Sequence, residues 1–272
     1  MMPKTDIKEA KTVILSFLQT YVRNAGCTDV VIGLSGGIDS ATVAVLCKHA
    51  FGKNHVHCYF LPEKTTPKID YVHKDLLCSS FGLPCQDVDI TSTVNHITAQ
   101  LSTKVDKHVC ANIKARVRMT ILYAYANIHG GLVCGTSNKS EILIGYCTKY
   151  GDGGVDIQPL GDLYKTQVYE LARVLKIPDE IITKPPTAGL WHGQTDEQEI
   201  GCTYHTLDCI LYGLEQKRSL QQIAEDAGVS VAEVKKIQNM RKQSEHKRHT
   251  PLIPKIGIRT PGFDWRSPVV EG

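Results

Sequence analysis

No stretch of this 272-residue chain approaches the roughly 18 consecutive apolar residues of a membrane-spanning helix, so no membrane partner is expected. Neither sign of charge prevails. The 31 Lys and Arg against 28 Asp and Glu leave a formal charge of +3, far short of the concentrated basic face that nucleic-acid binding needs. That mild excess favours anionic small molecules. The opening residues, MMPKTDIKEAKTVILSFLQTYV, lack the basic start, apolar centre and small-residue cleavage site of an export signal, and a cytoplasmic location is expected.

The ten cysteines contain no C-x-x-C pair. Cys202, His205 and Cys209 fall at helical spacing but do not complete the four ligands of a closed zinc site. Cys47, Cys58, Cys134 and Cys209 lie scattered in segments that read as strands and helices, as expected of buried thiols acting as small apolar residues. Internal repeats, low-complexity segments and a serine or cysteine triad signature are also missing.

From Val30 onward, short apolar runs alternate with segments of helical period. Strands are expected at Val30–Leu34, His55–Leu61, Cys85–Ile90 and Gly131–Ser137. Helices are expected at Asp39–Ala50, Ile69–Phe81, Asn112–His129, Lys165–Leu175, Asp196–Tyr212, Leu220–Ala227 and Val231–Met240. The alternation predicts an α/β fold, a doubly wound parallel sheet whose ligands collect beyond the carboxyl ends of the strands. With 42% hydrophobic and 22% charged residues, the simplest parse is a single domain over 1–272, with 196–250 as its helical C-terminal part. LPEKTTPKID, KYGDGGVDIQPLGD and TKPPTAGLWHGQTDEQ read as irregular segments.

Chemistry concentrates in VIGLSGGIDSATVAVL, Val31 to Leu46. A strand, a glycine-rich turn and a helix start present unpaired N–H groups to an anion, reinforced by the helix dipole. Yet the lysine of a G-x-x-x-x-G-K-[ST] loop is absent, and an aspartate stands in the turn. A carboxylate beside a polyphosphate is repulsive by several kcal/mol at an effective dielectric of about 20, so a cation must sit between them. Mg²⁺, commonly held by one or two carboxylates plus phosphate oxygens, is the economical choice. The bland alternative makes Gly36 and Gly37 packing residues and Asp39 a helix cap; the whole run S-G-G-x-D-S at the first strand-to-helix junction argues against it.

SGGIDS resembles the pyrophosphate-binding loop of the N-type ATP pyrophosphatases, which cleave ATP between the α and β phosphates and transfer AMP to an oxygen. Four later segments narrow the acceptor: NIKARVRM, GTSNKSEILIGYCTKYGDGGVDIQPLGDLYKTQVYELA, KPPTAGLWHGQTDEQEIG and EHKR. In this order, spanning about Val30 to Pro251, they resemble the NAD synthetases. The resemblance implies the adenine nucleotide alpha hydrolase-like fold and a reaction of ATP and ammonia with deamido-NAD through an adenylate.

It also implies site residues. For ATP these are Gly33, Leu34, Ser35, Gly36, Gly37, Ile38, Asp39 and Ser40 of the loop, with Thr136, Lys165 and Thr187. For deamido-NAD they are Arg116, Lys149, Asp156, His246 and Lys247; for Mg²⁺, Asp39 and Glu141. Asp39 and Lys165 would be catalytic, and Asp152 would help orient ammonia or take its proton. Arg118, two residues from Arg116 on a helix, is expected to be structural. Many family members read P-T-A-D-L where this chain has Pro186-Thr187-Ala188-Gly189-Leu190, so no role of that aspartate carries over. The segment is expected to form a lid that keeps water from the activated acid.

Deamido-NAD carries a pyridinium carboxylate, and a carboxylate does not react with ammonia because oxide is too poor a leaving group. Transfer of AMP makes an acyl adenylate whose leaving group is a phosphate anion. Only about thirty residues before and twenty after the matching segments remain, too few for a glutaminase domain of typical size. Free ammonia is the expected donor, and the resemblance implies a homodimer. Two other readings stand beside this one. Another N-type pyrophosphatase ligase, GMP synthetase-like or tRNA-modifying, would share the loop. SLQQIAEDAGVSVAEVKKI also reads like a helix-turn-helix, which would suit a nucleotide-sensing DNA-binding protein.

Overall fold

The computed structural model describes residues 5–187, 189, 191 and 193–260. Asp6 caps the first helix, α1 (Ile7–Asn24), by accepting from the Lys8 and Glu9 N–H groups. The buried strand β1 (Val30–Leu34) then runs into α2 (Ile38–Phe51), whose apolar residues surround the helix on nearly every side. A helix without a polar face belongs inside, and Val43 through Cys47 are fully buried. The chain continues through β2 (Val56–Phe60), α3 (Lys68–Phe81), β3 (Cys85–Asp87), α4 (Thr91–Ala99), α5 (Lys107–His129) and β4 (Leu132–Cys134).

All strand pairings are parallel, in the order β3-β2-β1-β4, with Val30 opposite Val56 and Leu132. Side chains alternate across the sheet. Val30, Ile32 and Leu34 enter the core shared with α1 and α2, whereas Val31, Tyr59 and Val133 enter that shared with α4 and α5. Helices thus cover both faces, as the strand–helix alternation predicts. The chain winds outward from β1 to β3, then returns to place β4 on the other side of β1. That reversal opens a crevice at the carboxyl ends of β1 and β4.

Beyond the sheet come α6 (Lys139–Ile144), α7 (Lys165–Val174), α8 (Asp179–Ile182), α9 (Asp196–Ile200), α10 (Tyr204–Glu215), α11 (Leu220–Ala227) and α12 (Val231–Gln243). The last three form a layer with its own core, in which Leu207 and Ile210 of α10 meet Ile223 of α11 and Val234 and Ile237 of α12.

Several expected boundaries shift for physical reasons. The single helix expected over Asp196–Tyr212 is two, because Gly201 turns left-handed at φ 88° and Thr203 caps a fresh start. The third strand stops at Asp87, and the fourth at Cys134, where Gly135 N–H turns to donate to Ile157 O at 2.8 Å. Capping by Asp106 starts α5 five residues before the expected Asn112. Helices α4, α6 and α8 were not expected: α6 and α8, of six and four residues, are too short for a periodic pattern to show, and α4 has no side-chain cap to mark its start.

Candidate active site

The expected phosphate loop joins β1 to α2. Gly36 turns left-handed at φ 72°, and a Cβ there would lie 2.7 Å from the Cα and the carbonyl oxygen of Asp70, so only glycine fits. Ser40, in the first turn of α2, receives the Ser35 N–H at 3.1 Å and donates to Gly37 O at 3.1 Å. Its hydroxyl therefore holds the loop in shape rather than facing the ligand space. Gly37 is the N-cap and has no capping side chain, which leaves the first N–H groups of α2 facing the crevice.

Across the crevice, the turn after β4 leads into α6 and brings Glu141; α7 begins with Lys165. Lys165 is 1% exposed, and its ammonium forms an ion pair with Asp39 Oδ2 and lies 3.6 Å from Glu141 Oε1. Asn138, the N-cap of α6, donates from Nδ2 to Asp39 Oδ1 at 3.0 Å while sharing a capping box with Glu141. Tyr204 of α10 completes the group, its hydroxyl 3.3 Å from Glu141 Oε1 and 3.2 Å from Asp196 Oδ2.

Burial and the neighbouring Asp39 carboxylate push Glu141 up to about 8. Burial alone would lower the Lys165 pKa, but Asp39 and Glu141 outweigh it and hold the ammonium charged. Burial likewise raises Asp196. Among the described residues no group of three or more His, Cys, Asp or Glu side chains is placed to hold a metal ion; Asp39 and Glu141 supply two carboxylates, the number with which Mg²⁺ is commonly held when phosphate oxygens complete its shell.

A cavity of about 480 Å³ opens over this group. The loop lines it through Gly33, Leu34, Ser35, Gly37, Ile38 and Asp39, and the far wall holds Thr136, Glu141, Asp152, Lys165, Thr187 and Lys247. Asp152 lies deep in the cleft yet open to its solvent; the surrounding protein raises its pKa, against a hydrogen bond from Thr148 N–H at 2.8 Å. Lys247 donates to the carbonyls of Gly145 and Cys147, at 2.7 Å each, and so closes the turn after α6.

The remaining expected contacts lie outside this wall. Arg116 is exposed and donates to Lys149 O at 3.3 Å; Lys149 donates to His246 O at 2.5 Å. Asp156 accepts from Tyr123 OH at 3.0 Å and from Val133 N–H at 2.8 Å, pinning the end of the sheet. Arg118 is the arginine that lines the cavity, while its Nε donates to Leu61 O at 2.9 Å. The structural bond is as expected, and the cavity face of the same side chain is not.

Sequence reasoning missed Asn138, Asp70, Lys184, Tyr204 and Asp196. Lys184 links the base of the expected lid to the loop, donating to Asp70 Oδ1 at 2.5 Å and to Gly36 O at 3.3 Å. Trp191 of the same segment sits against α5, its ring 5.0 Å from Lys107 Nζ and edge-on to His108. Ala188, Leu190 and His192 of that segment lie outside the described residues. A usable signal existed for Asn138 alone, since Asn three residues before Glu is a helix-start pattern.

The description NAD synthase fits residues 11–251 of the chain. The chain belongs to the NAD synthase family. It is 41% identical over 254 residues to an NH(3)-dependent NAD(+) synthetase of Methanosarcina acetivorans, an alignment covering 92% of this chain and 99% of that one. The structure of NMN synthetase from Francisella tularensis matches 93% of this chain and 100% of its own at a TM-score of 0.83 and 33% identity. That of an NH3-dependent NAD synthetase from Campylobacter jejuni matches 92% and 100% at 0.78 and 30%. The family fold is the adenine nucleotide alpha hydrolase-like one, as the loop suggested.

Neither alternative is favoured beside this family. The helix-turn-helix spacing has a local cause: capping boxes at Ser219 and Ser230 and left-handed Gly228 fold α11 onto α12, and their apolar faces join α10. Lys236 is occupied by Ile200 O at 2.7 Å.

Proposed function

We propose that the cavity amidates deamido-NAD with free ammonia, consuming ATP and releasing NAD, AMP and pyrophosphate. The observation that carries this reading is the Asp39–Lys165–Glu141 group set against the open loop and the α2 N-terminus, in a chain of the NAD synthase family. In the first half-reaction a nicotinate carboxylate oxygen attacks the α-phosphorus, and the bond to the β-phosphate oxygen breaks. In the second, ammonia attacks the acyl carbon, AMP leaves, and a proton is lost from nitrogen.

Each residue has a role within that sequence. The loop N–H groups and Lys165 hold the phosphates and take up the charge that develops on pyrophosphate. Asp39 and Glu141 would hold Mg²⁺, which neutralises phosphate charge when bound. Thr136 and Thr187 contact ATP, and Asp152 is placed in the cleft to orient ammonia or receive its proton. No side chain needs to form a covalent bond; positioning and exclusion of water suffice.

Arg116, Lys149, Asp156 and His246 fit deamido-NAD only if the ligand extends past the cavity wall, and in a homodimer a second copy would cover that extension. Exposed Val109 and Ile128 on α5 supply apolar surface for it. Sedimentation at micromolar concentration should give twice the 30.1 kDa chain mass; a monomer in the presence of substrates would remove the second copy from the account. Among the described residues no helix is long and apolar enough to cross a membrane, and we place the reaction in the cytoplasm, where ATP is supplied.

The resemblance to an NMN synthetase makes a mononucleotide the competing substrate. Purified protein with ATP, Mg²⁺ and ammonium should convert deamido-NAD to NAD with equimolar AMP and pyrophosphate. Preference for nicotinic acid mononucleotide would replace the substrate. Equal rates with glutamine would replace the donor, and no AMP with either acid would overturn the reading.

A further inference from the structure

Asp208 lies in the middle of α10, 0% exposed, and among the described residues it forms no ion pair. Its partners are all at two helix starts. Oδ1 accepts from the Ser140 hydroxyl at 2.5 Å, and Oδ2 accepts from the Thr166 N–H at 2.9 Å. The Ser140 oxygen in turn receives the Lys165 N–H at 2.9 Å. Ser140 is the second residue of α6, and Lys165 and Thr166 are the first two of α7.

Helix starts leave N–H groups without intrahelical partners; of those of α7, Thr166 N–H meets the carboxylate directly and Lys165 N–H meets it through the Ser140 hydroxyl of α6. A buried carboxylate without a cation is costly, and an apolar residue of similar size would pack in the same place at lower cost. Stability alone therefore does not account for it. Its bonds fix the starts of α6 and α7 relative to one another. Glu141 is the next residue after Ser140, and Lys165 is the residue before Thr166. The far end of α6 is fixed too, because Arg248 donates to the carbonyls of Ile142 and Leu143, at 3.1 and 2.8 Å.

We infer that Asp208 is a positioning residue for the ATP half-reaction: through Ser140 and the Thr166 N–H it sets the spacing of Glu141 and Lys165 around Asp39. This rests on the function proposed above. A displacement of about 1 Å in such a group is enough to lower a rate about a hundredfold, whereas the binding of deamido-NAD, made elsewhere, should be spared.

The test compares Asp208→Asn and Ser140→Ala with the unaltered chain in steady-state kinetics, varying ATP, Mg²⁺ and deamido-NAD separately. Asp208→Asn should lower kcat about 10- to 100-fold and raise the Mg²⁺ concentration for half-activation severalfold, leaving KM for deamido-NAD within about twofold. Ser140→Ala, which removes only the hydroxyl, should lower kcat about tenfold, and the double variant should lose little beyond Asp208→Asn. Kinetics of Ser140→Ala within twofold of the unaltered chain would overturn the inference even if Asp208→Asn does not fold. Equal losses toward both substrates, or a loss that tracks only the folded fraction, would overturn it as well. If the unaltered chain itself forms no NAD, the fault lies with the proposed function and not with Asp208.

Discussion

At the scale of single residues, the site is an ammonium shared by carboxylates that arrive from different elements. Asp39 was legible because a carboxylate inside a phosphate loop is an electrostatic contradiction that a cation must resolve. Glu141 and Lys165 were legible only through resemblance, since a lone glutamate or a helix-opening lysine has no signature of its own. Tyr204 and Asp196 were not legible, because nothing local marks a buried polar partner on a distant helix.

Glu141 carries a prediction about pH. Its carboxyl stands near 8 in the folded, ligand-free protein against an ordinary 4.5, so in that interval the folded state holds a proton that the unfolded state has lost. Its contribution to stability is present below about 4.5 and is lost as the pH rises through about 8. Glu141→Gln removes this loss. The variant's melting temperature, measured without ligands, should match that of the unaltered chain at pH 5 and exceed it by about 3 °C or more at pH 9, a gain on the order of 1 kcal/mol. NAD formation should fall at least about a hundredfold. A pH-independent difference in melting temperature would show that Glu141 ionises normally.

At the scale of elements, strands buried on both faces and helices with one clearly apolar face were legible: Val30–Leu34 and Leu220–Ala227 fall where their patterns place them. Helices α6 and α8 were not. The six residues of α6 give less than two turns, and its caps, Asn138 and Gly145, hold it more than its composition does. The segment expected to form a lid was legible as irregular from its prolines and glycines, but its hold on the loop through Lys184 depends on α3, which only the fold brings near.

The loop itself supplies a contrast between two of its glycines. At Gly36 a Cβ would press on the Asp70 backbone in a left-handed turn, whereas at Gly33 it would meet the Leu122 Cδ1 at 3.1 Å, the end of a flexible side chain. Gly36→Ala should therefore cost about 2 kcal/mol or more and raise KM for ATP over tenfold, and Gly33→Ala should cost less than half as much stability. Thermal unfolding and ATP titration measure both. Equal losses at the two positions would mean that the close approach of α3 does not dictate the loop.

At the scale of the whole molecule, the doubly wound sheet was legible from alternation alone, and with it the crevice at the strand ends. The sheet order explains why residues 39, 141 and 165 converge: β1 and β4 are neighbours, so the turns that follow them face one another. The layer formed by α10 to α12 was legible as helices but not as a support. Only the structure shows that it carries Tyr204 and Asp208 to the site from behind.

The central claim is that this site transfers AMP to a carboxylate oxygen, and one isotope measurement tests it directly. Deamido-NAD labelled with ¹⁸O in the nicotinate carboxylate is turned over with ATP, Mg²⁺ and ammonium, and the products are weighed by mass spectrometry. The account predicts one ¹⁸O in AMP for each NAD formed and none in pyrophosphate. Unlabelled AMP, or label in a released phosphate, would contradict it.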